Sequence, residues 1–123
     1  MFVFIKSAND EVTEETCPML LSDIRLDNVD FIAGYYVFTI CNLHKEGTAI
    51  CSREFENQQD AEMALVNCVN LINAIKMAYE RYIHGASVNV QFFELKVNEE
   101  GKPEYVWHKI SEADLTQPIT IEI

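Results

Sequence analysis

The sequence predicts an α+β domain in which a largely antiparallel β-sheet of about five to six strands packs on one long α-helix at about 58–84. Three observations predict it. The stretch from Gln58 to His84 contains neither Gly nor Pro and repeats apolar residues at spacings of three and four. On both sides of it the pattern changes to short β-branched and aromatic runs separated by clusters of Gly, Pro, Asn and Asp, the punctuation of hairpins. The 123 residues, 49% hydrophobic with 13 aromatics, suit a single domain over 1–123 with one buried core.

Phe2 to Ile5 is a short apolar run suited to a buried strand. An acidic connector follows at about 8–30. Between Asp10 and Asp30, seven carboxylates (Asp10, Glu11, Glu14, Glu15, Asp23, Asp27 and Asp30) face one basic residue, Arg25, a local balance of −6 within a formal net charge of −11. Pro18 interrupts this stretch, and Met19, Leu20, Leu21, Ile24 and Leu26 beyond it suit a short helix or a strand equally. Two β-rich runs, Phe31 to Cys41 and Thr48 to Phe55, flank a polar loop and read as a hairpin. A turn centred on Lys45 and Glu46 places Cys41 roughly opposite Cys51.

Asn57 offers a helix N-cap, Asp60 puts negative charge in the first turn, and Gly85 stands where a C-cap glycine belongs. Ala61, Ala64, Leu65, Cys68, Leu71, Ile72, Ile75, Ala78, Tyr79 and Tyr82 form one apolar stripe. Met63, Val66 and Val69 widen it, while Asn67, Asn70 and Asn73 hold a polar flank. A helix of roughly 40 Å, apolar over so much of its circumference, predicts that one face packs on the sheet and another on a second subunit.

Beyond the helix, Val88 to Phe92 alternates and the parity flips at Phe92 and Phe93, which predicts a bulge or a strand buried on both sides. Asn98 to Pro103 is a turn by composition. Strands are expected from Glu104 to Ile110 and from Ile119 to Ile123, the latter as an edge open to pairing.

Charge and composition exclude several functions. Nine Lys plus Arg, scattered, make no basic stripe for phosphates, so no nucleic-acid partner is expected. No run of about 18 apolar residues suggests a membrane span. The start of the chain has no basic, apolar and small-residue signal pattern, so a cytoplasmic protein with reduced thiols at Cys17, Cys41, Cys51 and Cys68 is expected.

Cys41, His44, Cys51 and Cys68 do not have the paired short spacings that hold zinc, and read as core hydrophobes and a turn histidine. His44, His84 and His108 each suit a plain role in a turn, at a helix C-terminus and in a strand. No phosphate-cradling or nucleophile motif occurs. No catalytic residue, metal or cofactor is assigned, and the chain is read as a non-enzyme.

Tyr36 to Ile40 followed by Thr48 to Glu62 resembles the repeat unit of the small bacterial YegP-like family, with Ser52, Phe55, Ala61 and Glu62 matching its pattern. The loop is longer here, the turn glycine is displaced to Gly47, and the helix runs further. The resemblance, over residues 36–62, implies a strand, turn, strand and helix topology. It implies no established activity, so no site residue is carried over.

The expected function is a protein–protein interaction module of adaptor, inhibitor or chaperone type, acting as a homodimer. Its carboxylates Glu11, Glu14, Glu15, Asp23 and Asp27 would meet a basic protein partner, steering encounter through charge. The other reading starts from the aromatics, which must face both sides of a sheet. Tyr35, Tyr105 and Trp107 are then left to line a groove, as in a small-ligand binding module or minor enzyme, or to meet a second subunit.

Overall fold

The computed structural model describes residues 1–7, 18–44 and 49–123. Asp10, Glu11, Glu14, Glu15 and Cys17 of the connector, and the loop centre at Lys45, Glu46 and Gly47, lie outside the described residues. In chain order the elements are β1 (Phe2–Lys6), β2 (Met19–Leu20), β3 (Ile24–Leu26), β4 (Asp30–Ile32), β5 (Tyr35–Asn42), β6 (Ala49–Phe55), α1 (Gln58–Ile83), β7 (Asn89–Val97), β8 (Pro103–Ser111) and β9 (Ile119–Glu122). Short 3-10 turns occupy Leu21–Asp23 and Glu112–Leu115. The α+β class and the one long helix agree with the sequence. The single five- to six-stranded sheet does not: among the described residues the strands form three sheets, ordered β2-β1-β9, β3-β5-β4 with β6 also on β5, and β7-β8.

The residues group into two compact units, Met1–Val66 with Pro118–Ile123, and Asn67–Gln117. In the first, β1 pairs in parallel with β9, Val3 opposite Ile119 and Ile5 opposite Ile121, while the other pairings are antiparallel. Lys6 and Glu122 close this ladder with a 3.1 Å ion pair. The core of the unit holds Val3, Leu21, Phe38, Ile40, Cys41, Ala61 and Ile121. The acidic connector's second half is folded: Pro18 leads into β2, a 3-10 turn and β3, and β3 pairs with β5 at Arg25 opposite Cys41.

Two sequence expectations change in the β5 region. The run from Phe31 to Cys41 is not one strand, because Ala33 and Gly34 both take positive φ (51° and 88°) and turn the chain tightly between β4 and β5. Glycine accepts that geometry freely and Asn or Asp nearly so, whereas alanine does not, so Ala33 bears a cost. Cys41 lies opposite Ala49, and Cys51 opposite Ile40, because the ladder shifts register between Ile40 and Cys41.

Helix α1 begins and ends as its sequence dictates. Asn57 Oδ1 accepts the Asp60 N–H at 2.9 Å, and Asn57 Nδ2 donates to Asp60 Oδ2 at 2.8 Å. At the far end the Gly85 N–H reaches Tyr82 O and the Ala86 N–H reaches Arg81 O, the paired bonds of a Schellman stop, with Gly85 at φ 71°. The helix ends at Ile83, one residue short of the expected boundary at His84.

The second unit joins α1 from Asn67 onward to the β7–β8 hairpin. Its turn is pinned by Asn98, whose Oδ1 accepts the N–H groups of Glu100 and Lys102, both at 3.0 Å. The ladder then runs without a break from Val97 opposite Pro103 to Asn89 opposite Ser111. There is no bulge at Phe92 and Phe93: the two aromatics lie on opposite faces of a regular strand. Among the described residues no helix is long and apolar enough to cross a membrane.

Candidate functional site

In the second unit the hairpin sorts its side chains by parity. Even positions share a face on which Val90 and Ile110, register partners, are both buried. On that face Phe92 stacks on His108 at 5.3 Å between ring centroids, and His108 Nε2 lies 3.2 Å from Glu94 Oε1. Odd positions form the other face. There Phe93 receives Tyr105 edge-on at 5.0 Å and Trp107 at 5.9 Å, geometries that suit the ring quadrupoles. Tyr105 and Trp107 nevertheless stay 64% and 66% exposed. One ring packs against both, and most of their own surface stays open to solvent.

Helix α1 runs antiparallel to β7 along its outer edge. Asn67 Oδ1 accepts the Leu95 N–H at 2.8 Å and Asn67 Nδ2 donates to Leu95 O at 2.9 Å, so one side-chain amide stands in for a missing neighbouring strand. One turn on, Asn70 Nδ2 donates to Phe93 O at 3.4 Å. Between helix and strand lies a surface groove of about 240 Å³ lined by Asn70, Asn73, Ala74, Met77, Val90, Gln91, Phe92, Phe93 and Trp107. It offers an apolar floor, three amides and the indole at its rim. That volume is below the roughly 300 Å³ at which pockets enclose drug-sized ligands, and is on the scale of one inserted side chain.

The sequence grouped Tyr35 with Tyr105 and Trp107. The hairpin brings the last two together through Phe93, whereas Tyr35 belongs to the first unit, at the start of β5 opposite Ile32. Beside it Phe31 packs on Tyr36 at 4.9 Å. Asn67, Asn70, Met77 and Phe93 join Trp107 here only through the fold. The signal for the asparagines is their spacing of three along α1, which marks a polar flank. Only Asn73 is fully on the exposed side, while Asn67 and Asn70 are half-buried.

Of the five carboxylates assigned to a partner, Glu11, Glu14 and Glu15 lie outside the described residues. The other two already hold local contacts. Asp23 Oδ1 is 3.0 Å from His44 Nε2, and Asp27 accepts from Arg25 Nε at 3.2 Å and from the Cys41 thiol at 3.1 Å. Among the described residues no group of three His, Cys, Asp or Glu side chains is placed to hold a metal ion.

Burial first, and then the hydrogen bond to and charge of Asp27, push the Cys41 thiol above its ordinary pKa. The folded thiol therefore holds its proton more tightly than the unfolded one, which titrates near about pH 8.5. The stability linked to it is fully present below that pH and falls as pH rises toward the folded-state value. Urea melts between neutral pH and about pH 10 are expected to show this decline, and Cys41→Ala is expected to flatten it.

No family model, curated protein or solved structure matches this chain.

The β7–β8 face combines two exposed aromatics packed on Phe93, an adjacent groove with amide donors and acceptors, and a chain of net negative charge. Aromatic anchors of low side-chain entropy beside a small pocket are the parts from which contact surfaces are built.

Proposed function

We propose that this protein is a non-enzymatic interaction module that works as a homodimer and engages a basic protein partner on the Tyr105–Trp107 face. The observation that carries the reading is the exposure of the two large aromatics, held in place by Phe93 rather than loose. An indole and a phenol so presented take Arg or Lys side chains over their π-faces, worth about 0.5–2 kcal/mol each. The formal charge of −11 draws such a partner in. The groove beside Trp107 then accepts one side chain of that partner, its backbone or polar tip meeting Asn70, Asn73 or Gln91.

Calorimetric titration with an oligo-arginine peptide as a model basic partner tests this. Binding is expected to weaken steeply with salt, and Trp107→Ala is expected to reduce affinity about tenfold at fixed ionic strength. Equal affinity of the wild type and Trp107→Ala would remove the aromatic face from the reading. Absence of binding at low salt would remove the basic partner.

A further inference from the structure

The homodimer in that reading needs a surface, and one strand supplies it. Because Asn67 takes both backbone groups of Leu95, those groups point away from β8. Tyr105 is the register partner of Leu95, so the two form a pair that exchanges no hydrogen bonds across the ladder. The N–H and C=O of Tyr105 therefore point outward as well, and by alternation so do those of Trp107 and Lys109. Among the described residues β8 pairs with β7 alone, and from Pro103 to Lys109 every residue except Val106 is exposed. Within this unit the two edges of the hairpin are treated differently: α1 covers β7, and among the described residues no strand pairs with the free edge of β8. A bare edge is a template for another strand.

The chemistry of β8 selects the strand that fits. A chain of charge −11 resists meeting itself over most of its surface, but the second unit carries only five basic side chains against seven carboxylates. Within β8 the balance is one Glu and one Lys. Laid antiparallel on itself about a two-fold axis at Val106, β8 sets Glu104 opposite the partner copy's residue 108, a histidine, and Tyr105 opposite residue 107, a tryptophan. Each pairing occurs twice. Aromatic pairs directly across strands are favourable, and this register sets no two like charges face to face. The outward-facing residues also fall where this register needs hydrogen-bonded pairs, Tyr105 with residue 107 of the other copy.

We infer that β8 is the dimer edge, joining two hairpins into one four-stranded antiparallel sheet whose odd-numbered face carries both copies of Phe93, Tyr105 and Trp107. The inference rests on the homodimer of the preceding section and names its surface.

Sedimentation equilibrium and a cross-link test it on the full chain. The wild type is expected at twice its 14.1 kDa at micromolar concentration. Val106→Cys sits on the two-fold axis as a pair without ladder bonds, with Cα atoms about 4.5 Å apart, inside the span a disulfide bridges. Mild oxidation should join two copies of that variant far more than it joins the wild type. Tyr105→Pro removes an outward N–H without touching the β7 ladder, and Val106→Lys sets two ammonium groups face to face. Each is expected to weaken the dimer about tenfold or more while the circular dichroism stays native. A wild type that sediments as a monomer contradicts both the dimer and its surface. A dimer unchanged by Tyr105→Pro and Val106→Lys, or no excess cross-linking of Val106→Cys, overturns the β8 edge alone.

Discussion

Truncating Phe38 to alanine is expected to lower the unfolding free energy by about 3–5 kcal/mol, the range for a fully buried phenylalanine. Phe38 lies in the middle of β5, which is paired on both edges, and none of its surface reaches solvent. Removing the ring forfeits its transfer free energy and leaves a cavity that a strand held on both sides closes poorly. Phe31 provides the internal comparison. It lies in β4, 65% exposed, so Phe31→Ala is expected to cost less than about 1 kcal/mol. Urea denaturation followed by circular dichroism separates the two, with a large shift of midpoint for Phe38→Ala and an unchanged slope. Similar small losses for both would place the first unit's core elsewhere.

The second large effect is expected from a polar residue. Asn67→Ala leaves the Leu95 N–H and C=O, both half-buried at the edge of β7, without the amide that satisfies them. Stranding such groups costs more than an average hydrogen bond contributes, so a loss of about 2–3 kcal/mol is expected. Asn73→Ala, on the exposed side of the same helix, is expected to change stability by less than about 0.5 kcal/mol. Denaturant melts measure both, and the contrast tests the assigned contacts rather than helix propensity, which is identical for the two substitutions. Asn67→Ala also uncovers the edge of β7, so it is expected to raise self-association at high protein concentration.

What was legible in the sequence follows from how local each signal is. Helix α1 was readable to within a residue because its stripe, the Asn57 and Asp60 cap and the Gly85 stop all act over a single turn or a fixed period. The β7–β8 hairpin was readable for the same reason, since Asn98 to Pro103 sits between two runs that meet directly. Pairings between distant strands were not. Nothing local in Phe2 to Ile5 says that it will lie parallel to Ile119 to Ile123, so sequence pattern alone merges the separate sheets of the described residues into one. The Ala33 turn escaped notice because alanine is a poor turn residue, and the register shift at Ile40 and Cys41 because a bulge leaves no compositional mark.

Candidate site residues divide in the same way. Tyr105 and Trp107 were visible as aromatics of equal parity in a short strand. Their ordering by Phe93 required the register. Asn67 was visible only as part of a polar flank, since a side chain that mimics a strand has the same sequence as one that faces water. Charge alone makes Asp23 and Asp27 look available, whereas His44 and Cys41 reach them from distant positions and Arg25 from two residues away.

Amide hydrogen exchange along β8, measured over a range of protein concentrations, tests the contact surface most directly. Val106 and His108 point their N–H groups toward β7 and are expected to stay protected throughout. The N–H groups of Tyr105 and Trp107 point outward, and are expected to be protected at high concentration and to exchange at the rate of an open edge after dilution. Tyr105 and Trp107 amides that exchange freely at every concentration, while Val106 stays protected, would contradict a self-paired β8 edge.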